Sequence, residues 1–359
     1  MRIVFISNLS RSSSAGPNYS VPSRIRAQSK IDDVFWVNLT DVRWKEWEEN
    51  PYFHTSDEIE KLTIDNIESL FPKPDIFVFE SFYYVEHVAL ARELARKGIP
   101  YIIVPRGSLT HKALHNHSWL KKKIAHWLYF NNYCKKAWAI QYLTLQEYKD
   151  SGDIWNKRHF IIPNGVSVHE LETKERDDSF TAVFVGRIDL YHKGLDELLK
   201  ACCSIKSILI EHRFRLTLYG PVLEDYHKAK NMIGSLGLDG IVQMGGEVLG
   251  ERKARVLKNA DLFVLTSRFE GHPMGLIEAL SYGVPALVTP GTNMAEEIES
   301  HKAGWVCDVN ADSIASQLKL VLDSNDILMR GKNAWNLASR YEWDKLAVDF
   351  HQELLKAFQ

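Results

Sequence analysis

Short apolar segments alternate with longer amphipathic segments along all 359 residues of the chain. Each short segment is rich in β-branched or aromatic residues and bounded by turn formers, which is typical of a buried strand. Strand–helix alternation of this kind predicts parallel sheets covered by helices on both faces, an α/β fold class. The predicted strands are 2–6, 34–39, 75–80, 100–104, 137–142 and 159–162, then 180–186, 213–219, 240–244, 261–266, 284–289 and 304–308.

The two series of strands are separated at Pro163-Asn164-Gly165 and the polar run 169–179. After this segment the alternation starts again, so the pattern predicts two separate doubly wound units of similar size. We place an N-terminal domain at 1–166 and a C-terminal domain at 167–339. Ligands of such sheets bind outside the carboxyl ends of the strands, here in an expected cleft between the domains.

Composition narrows the possible functions. Lys and Arg total 44 and Asp and Glu total 46, a near-neutral balance that argues against a chain-wide nucleic-acid surface. No apolar run approaches the ~18 residues that a membrane span needs, and the N-terminal apolar run is too short for a signal peptide. The four cysteines have no C-x-x-C spacing, so neither a zinc site nor a redox pair is predicted. We expect a cytoplasmic protein.

The first candidate site follows the predicted strand 180–186. Gly186 ends this strand, and Arg187 and Lys193 bring two cations before the next predicted helix. Glycine permits close backbone approach, and the planar fork of arginine fits phosphate oxygens. These residues favour an anionic ligand, with a solvated basic loop as the alternative.

The second candidate site follows the predicted strand 261–266. Gly275 lies where a helix would start, and a helix N-terminus suits a diphosphate because it presents free N–H groups and a positive dipole end. Glu270 precedes this helix and Glu278 lies one turn inside it. One carboxylate can therefore face a reacting group while the other accepts hydrogen bonds from hydroxyls. Helix capping by Glu270 and a surface role for Glu278 are the alternative.

Together, the two sites resemble the retaining glycosyltransferase family 4, of the "glycosyl transferases group 1" type. The resemblance covers most of 160–310 strongly and the N-terminal half weakly. It implies a GT-B architecture, in which two Rossmann-like doubly wound parallel-sheet domains face each other across a cleft. The residues that carry it are Gly186-Arg187, Lys193-Gly194, Glu270 to Leu280, Gly283-Val284-Pro285, Gly291 to Ile298 and Ala303-Gly304-Trp305.

The resemblance also implies roles for individual residues. Arg187 and Lys193 would hold the diphosphate of a nucleotide-sugar donor, Glu278 the ribose hydroxyls, and Glu270 would lie against the donor sugar. The final helix, about 340–359, would pack on the N-terminal domain. UDP is the common nucleotide of the family and GDP the next. The remaining donor contacts would be Gly16, Glu247, Val248, Gly271, His272, Met274, Gly275 and Leu276.

The N-terminal half departs from the family pattern at two positions. Ala15 stands where many relatives have a glycine, and Arg106 stands where many have a histidine. Arginine cannot act as a base, but Arg106 could stabilise negative charge or position the acceptor. His111 is an alternative polar partner. The candidate catalytic residues are therefore Glu270, Arg106 and His111.

No metal or other cofactor is expected. Fixed cations and a helix N-terminus can stabilise a leaving diphosphate, and the chain has no Asp-x-Asp sequence to clamp a donor-bound metal. Retention by double displacement would need a carboxylate behind the anomeric carbon. None can be named in the N-terminal half, so front-face substitution is the favoured mechanism.

A predicted helix over 119–136 combines basic and aromatic residues. Such a helix can lie on anionic lipid, which would suit a lipid-linked acceptor and place the protein at the inner face of the cell membrane. The alternative is a helix that packs its aromatic residues into the domain and leaves its lysines in solvent.

The leading hypothesis is a metal-independent retaining glycosyltransferase, a hexosyltransferase. It would move a sugar from a nucleotide-sugar donor to a hydroxyl of a glycan or lipid-linked acceptor, in cell-surface polysaccharide or glycolipid biosynthesis. The alternatives are a sugar-nucleotide epimerase of GT-B architecture and a non-catalytic subunit that binds a sugar nucleotide or glycan. No nucleic-acid partner is expected.

Overall fold

The computed structural model describes residues 1–12, 16–114, 125–171 and 179–359. The chain divides into two compact units. Unit 1 contains Met1–Gly165 and Trp343–Gln359, and unit 2 contains Val166–Glu342. Each unit is built on its own parallel sheet, which confirms the predicted α/β class of two Rossmann-like, doubly wound domains.

The sheet of unit 1 has seven parallel strands in the order β3-β2-β1-β4-β5-β6-β7. Alternate residues of β1 enter two different cores: Val4 and Ile6 pack on one face of the sheet, Ile3 and Phe5 on the other. Both faces are therefore covered, as a doubly wound sheet requires. The strands are β1 Arg2–Ser7, β2 Asp33–Asn38, β3 Phe53–Thr55, β4 Ile76–Phe79, β5 Tyr101–Ile103, β6 Ala139–Tyr142 and β7 His159–Ile161.

The last helix of the chain, Trp343–Leu355, packs on Pro17–Gln28 within unit 1. The ring of Phe350 lies 6.5 Å from that of Phe5, and the Lys30 ammonium lies 2.7 Å from Asp344. The other α-helices of the described part of unit 1 are Lys45–Glu48, Ile64–Leu70, Val85–Lys97, His111–Leu114, Asn131–Lys136 and Leu145–Ser151, and His126–Phe130 forms a π-helical turn.

The sheet of unit 2 has six parallel strands in the order β10-β9-β8-β11-β12-β13. Its strands are β8 Phe180–Val185, β9 Phe214–Tyr219, β10 Val242–Gly246, β11 Leu262–Leu265, β12 Ala286–Val288 and β13 Gly304–Val306. Its α-helices in the described residues are Leu195–Ser204, Lys206–Glu211, Glu224–Ser235, Gly250–Lys258, Met274–Ser281, Ala295–Ser300, Ala311–Leu322 and Ile327–Ala338. None of the described helices of either unit is long and apolar enough to cross a membrane.

Two features differ from the sequence pattern. The strand β3 was not predicted, because its three residues are too few to show a period. The helical segment after Gly194 is broken at Ile205, whose φ of −114° and ψ of 22° lie outside the α-helical range. Of the predicted helix 119–136, residues 119–124 lie outside the described part of the chain.

A buried histidine makes the stability of unit 1 depend on pH. Burial lowers the pKa of His87 to about 3, so its ring stays neutral in the folded protein above that pH. The same ring in the unfolded chain binds a proton below about pH 6.5. The folded state therefore loses stability as the pH falls from about 6.5 towards 3, because protons then bind preferentially to the unfolded chain.

We predict that His87→Phe reduces this acid sensitivity. The phenylalanine ring can still pack beside Phe79 and Tyr84, whose rings lie 5.0 and 5.1 Å from the histidine ring. When the pH is lowered from 7 to 5, the free energy of unfolding, measured with urea, should fall in His87→Phe by about 2 kcal/mol less than it falls in the wild type. The exposed His227→Phe is the control, with the wild-type dependence expected. An equal fall in His87→Phe would contradict the prediction.

Candidate functional site

The candidate donor site of unit 2 lies where two neighbouring parallel strands end. Strands β8 and β11 pair side by side, and their carboxyl ends lead into the loops 186–194 and 266–273. The helix Met274–Ser281 begins at this edge and packs closely on β8. A side chain at Gly275 would place its Cβ 2.7 Å from the Val185 carbonyl oxygen, so only glycine allows this approach.

An ion pair joins the two loops. The Lys193 ammonium contacts Glu270 Oε1, and the Ser267 hydroxyl donates a 2.6 Å hydrogen bond to the same oxygen. The side chains of Lys193 and Glu270 are only 14% and 10% exposed. In surroundings of low dielectric, the cation and the hydroxyl donor together hold the carboxylate in one orientation.

Arg187 contacts its own loop in the ligand-free protein. Its Nη2 lies 2.9 Å from His192 Nδ1 and 3.3 Å from Asp189 Oδ2, while the side chain is 47% exposed. The His192 ring stacks on Phe269, with centroids 4.1 Å apart, and its Nε2 lies 2.7 Å from the Phe269 carbonyl. Burial lowers the pKa of His192, and the neighbouring Lys193 lowers it further, so the neutral ring is favoured.

Further polar side chains fix the loop that carries Glu270. Asn293 Nδ2 donates to the Glu270 carbonyl at 2.5 Å and to the Gly271 carbonyl at 3.2 Å. Arg268 binds the two carboxylate oxygens of Asp196 at 2.7 and 3.0 Å. The loop is therefore held by neighbouring elements of unit 2 before any ligand binds.

Glu278 lies one turn into the same helix and forms an ion pair that the sequence did not reveal. The Lys253 ammonium, on the helix Gly250–Lys258, contacts Glu278 Oε2. The side chains are 24% and 22% exposed. Glu270 and Glu278 thus have separate cationic partners and do not form a carboxylate dyad.

The remaining predicted donor residues of unit 2 have different environments. Val248 is buried at 5% exposure beside the exposed Glu247, in the loop after β10. Burial lowers the pKa of His272 to about 3, and its ring packs edge-on to Tyr341. The Leu276 side chain is buried, and its amide donates to the Pro273 carbonyl at 3.1 Å, so this amide already has a protein acceptor. Gly271, Met274 and Gly275 are half-buried at the start of the helix.

Arg106 belongs to a buried ion network at the strand ends of unit 1. Its Nη2 lies 2.7 Å from Glu80 Oε2, and its Nη1 donates to Ser20 Oγ and Asn164 Oδ1 at 3.1 Å each. Arg24 approaches the other oxygen of Glu80 at 2.8 Å. All three guanidinium nitrogens of Arg106 bond to protein atoms, since its Nε also donates to Glu80. The structure therefore shows Arg106 as an internal partner of Glu80.

The opposite charges of Glu80 and its two arginine partners, Arg24 and Arg106, offset the cost of burying them. Burial alone would raise the pKa of Glu80, whose side chain is 0% exposed, but the charges and hydrogen bonds of Arg24 and Arg106 lower it below its ordinary value. Burial lowers the pKa of Arg24 to about 10 against the opposing charge of Glu80. The turn after β5 is also held by Glu147, which accepts a 2.5 Å hydrogen bond from the Gly107 amide.

The other predicted site residues of unit 1 have different surroundings. Gly16 precedes the helix Pro17–Gln28, and its carbonyl accepts from the amides of Tyr19 and Ser20 at 3.1 Å. His111 is exposed at the start of the short helix His111–Leu114. Ala15 lies outside the described residues. Within the described part of the chain, no three His, Cys, Asp or Glu side chains are grouped to hold a metal ion.

Comparison with known families finds a similarity in the part of the chain that contains the candidate donor site. Residues 169–335 match the family Glycosyl transferases group 1, and this stretch lies within unit 2. The matched stretch covers a little under half of the chain and is similar to a group 1 glycosyltransferase domain. The residues Arg187, Lys193, Glu270 and Glu278 all lie within the matched stretch.

Sequence relatives match part of the chain. WcaL of Escherichia coli K12, whose name places it among glycosyltransferases of colanic acid biosynthesis, is 27% identical over 172 residues, 45% of this chain and 40% of that protein. The uncharacterized glycosyltransferase MJ1607 of Methanocaldococcus jannaschii is 30% identical over 180 residues, 48% of this chain and 44% of that protein. The matches thus span less than half of either relative.

Solved structures are similar over nearly the whole chain. Anabaena Alr3699/HepE in complex with UDP has a TM-score of 0.78 at 15% identity, covering 99% of this chain and 100% of that one. Sucrose-phosphate synthase from Thermosynechococcus elongatus has a TM-score of 0.74 at 14% identity, covering 99% of each chain. At these identities the likeness supports the fold, and the two Rossmann-like domains belong to the GT-B class.

Some residues of these sites were missed by sequence reasoning. Glu80 had a visible signal, because it is a single acidic residue at the end of the apolar run Ile76–Phe79. Lys253 gave no signal, because it is one of several charged residues in an amphipathic helix. Asn293 lies in the motif that carries the resemblance, but its bonds to the Glu270 loop cross 22 or more positions of sequence.

We predict that Gly275→Ala destabilises unit 2 by about 1–3 kcal/mol, because the new Cβ forces the helix away from the Val185 carbonyl. Urea unfolding measures the loss. Gly234→Ala is the matched control, since the nearest atom to its Cβ is 4.0 Å away. The control should be neutral or stabilising by about 0.4–1 kcal/mol. Equal effects of the two substitutions would refute the close-approach argument.

We also predict that Glu80→Gln destabilises the protein by about 3–5 kcal/mol, because it leaves two buried guanidinium groups without their counter-charge. Glu60→Gln, at an exposed position, is the control and should change stability by less than about 0.5 kcal/mol. Urea denaturation followed by tryptophan fluorescence measures both variants. A wild-type midpoint for Glu80→Gln would contradict the role given to this carboxylate.

Proposed function

We propose that this chain is a retaining glycosyltransferase that uses a nucleotide-sugar donor. The donor nucleotide is UDP as first choice and GDP as second, and the acceptor is a hydroxyl of a glycan or lipid-linked molecule. The product belongs to cell-surface polysaccharide or glycolipid biosynthesis. The observation that carries the proposal is the Lys193–Glu270 ion pair beside the start of the helix Met274–Ser281, within a group 1 domain.

The charges of this site suit a diphosphate leaving group. Lys193 and the half-exposed Arg187 supply two cations at the strand ends, and the helix starting at Met274 directs its positive dipole end to the same edge. Fixed positive charges of this kind stabilise the negative charge that develops as a diphosphate departs. The proposed chemistry therefore needs no bound metal. On donor binding, Arg187 would exchange Asp189 for phosphate oxygens.

Glu270 is the proposed residue beside the donor sugar. Lys193 and Ser267 orient its carboxylate, so it can accept hydrogen bonds from sugar hydroxyls and offset positive charge at the anomeric carbon. We propose front-face substitution, in which the departing phosphate takes the acceptor proton. His111 is a second candidate residue near the acceptor. Arg106 would contribute to the site indirectly, through its contacts with Glu80 and Asn164.

Relatives and solved structures supply supporting examples for the choice of nucleotide. The GDP-mannose:cellobiosyl-diphosphopolyprenol alpha-mannosyltransferase of Xanthomonas campestris is 25% identical over 279 residues, 73% of this chain and 68% of that enzyme. Anabaena Alr3699/HepE binds UDP and UDP-glucose in its crystal structures. The first protein uses GDP-mannose and a lipid-linked acceptor by name, and the second supports testing UDP-sugars.

We propose that a surface of unit 1 meets anionic lipid. The described part of this surface carries the exposed Leu128 and Tyr129, at 48% and 41%, followed by the exposed Lys135 and Lys136. Aromatic and aliphatic side chains can enter the lipid interface while lysines contact anionic headgroups. A lipid-linked acceptor would then reach the enzyme at the inner face of the membrane.

We predict that Glu270→Gln abolishes most sugar transfer and donor hydrolysis while leaving UDP or GDP affinity within about threefold of wild type. Arg187→Ala should weaken nucleotide affinity about tenfold, because it removes a charge-assisted contact to the diphosphate. Calorimetric titration gives the affinities, and nucleoside diphosphate release gives the turnover.

Arg215→Ala is the control for these variants, because this arginine is exposed on β9 away from the site loops. It should keep wild-type affinity and turnover. Unchanged nucleotide affinity in Arg187→Ala would show that the donor diphosphate is not held at this site. Full turnover in Glu270→Gln would remove this residue from the reaction.

Vesicle flotation tests the proposed lipid surface. We predict that the protein floats with phosphatidylglycerol vesicles and not with phosphatidylcholine vesicles. Changing Lys135 and Lys136 to glutamate should weaken binding about tenfold or more, at ~1 kcal/mol for each lysine near the surface. Lys230→Glu with Lys319→Glu, both exposed in unit 2, is the charge-matched control. Failure of the wild type to float would refute the lipid surface and leave the donor site untouched.

A further inference from the structure

Lys253 connects two parts of the proposed donor site that lie in separate segments of the sequence. It belongs to the helix Gly250–Lys258, which follows the loop after β10, and its ammonium contacts Glu278 on the helix Met274–Ser281. Glu278 is the residue that the proposed function places on the ribose. The ion pair therefore connects the loop expected at the base with the carboxylate expected at the ribose.

The loop at the base-side end of this connection, Gly245 to Gly250, is held by burial and by hydrogen bonds to Arg252. Val248 is buried at 5% exposure, and Gly246 and Gly250 adopt positive φ values of 70° and 51° that favour glycine. Arg252 donates to the carbonyl oxygens of Glu247 and Gly245 at 3.5 and 3.3 Å. Lys253 follows Arg252 directly in the helix, and its amide donates to the Leu249 carbonyl at 3.3 Å.

The carboxylate end needs a cation for an electrostatic reason. Glu278 lies three residues after Gly275, where the proposed function places the diphosphate, and two anions that close together repel each other. The Lys253 ammonium neutralises the carboxylate without burying either group fully, since the side chains are 24% and 22% exposed. It contacts Oε2, and the second carboxylate oxygen, Oε1, could accept a hydrogen bond from a ribose hydroxyl.

We propose that Lys253 is a positioning residue for nucleotide binding. It holds the Glu278 carboxylate towards the ribose and offsets its repulsion of the diphosphate. This inference rests on the proposed function, because it requires a ribonucleotide at Glu278. Lys253 contacts Glu278, and in this proposal it acts on the nucleotide through that carboxylate.

Calorimetric titration of the full chain tests the proposal with UDP, GDP and their 2′,3′-dideoxy forms as probes. For the ribonucleotide that the wild type binds, we expect Lys253→Ala to weaken affinity about tenfold. Lys253→Arg should keep the affinity within about threefold of the wild-type value. Glu278→Gln should also weaken affinity, and the double variant should be no weaker than Glu278→Gln alone, because both changes remove one interaction. With the dideoxy nucleotide, Lys253→Ala should weaken affinity clearly less than with the ribonucleotide, because only the repulsion between Glu278 and the diphosphate remains.

Lys230→Ala is the control for a lost exposed lysine, and it should bind as the wild type does. Wild-type affinity of Lys253→Ala, with weakened Glu278→Gln, would overturn the positioning role and leave the donor site standing. Tighter binding by Lys253→Ala would show competition with the ribose and overturn it also. An equal loss with dideoxy nucleotides would show action on the phosphates, against the proposal. If the wild type binds neither UDP nor GDP, or Glu278→Gln binds normally, the proposed donor site itself fails.

Discussion

A carboxylate that leaves bulk water must keep a cation or several hydrogen-bond donors beside it, because an uncompensated buried charge is costly. Three glutamates near the strand ends meet this requirement in different ways. Glu80 lies buried between Arg24 and Arg106, Glu270 between Lys193 and Ser267, and Glu278 against Lys253. The first is inaccessible and stabilises unit 1. The other two keep partial exposure, so a ligand can reach them.

The parallel sheets decide where these charges meet. In unit 2, β8 and β11 are neighbours, so the loops with Lys193 and Glu270 start from adjacent strand ends although 77 positions separate the two residues. Gly275 then lets a helix N-terminus approach the end of β8. Cations, a fixed carboxylate and a helix dipole therefore converge at one sheet edge, which is the arrangement that the proposed phosphate leaving group requires.

The features of the fold and of the site that depend on local sequence pattern could be predicted from the sequence. Apolar runs predict the strands. A glycine at a strand end, followed by cations, indicates an anion site, as at Arg187. Tertiary pairing could not be predicted in the same way. Arg106 was expected to stabilise charge or position the acceptor, yet its partners Glu80 and Asn164 lie 26 and 58 positions away. Lys253 could not be told from other surface lysines until the two helices were placed side by side.

The proposed reaction is sugar transfer from a nucleotide donor with retention of configuration. The most direct measurement follows UDP-sugars and GDP-sugars by proton NMR in the presence of the purified protein and a panel of glycan acceptors. We expect release of the nucleoside diphosphate and a new anomeric signal with the configuration of the donor. Inversion at the anomeric carbon, conversion of the donor to an epimer without acceptor, or no diphosphate release with any donor would contradict it.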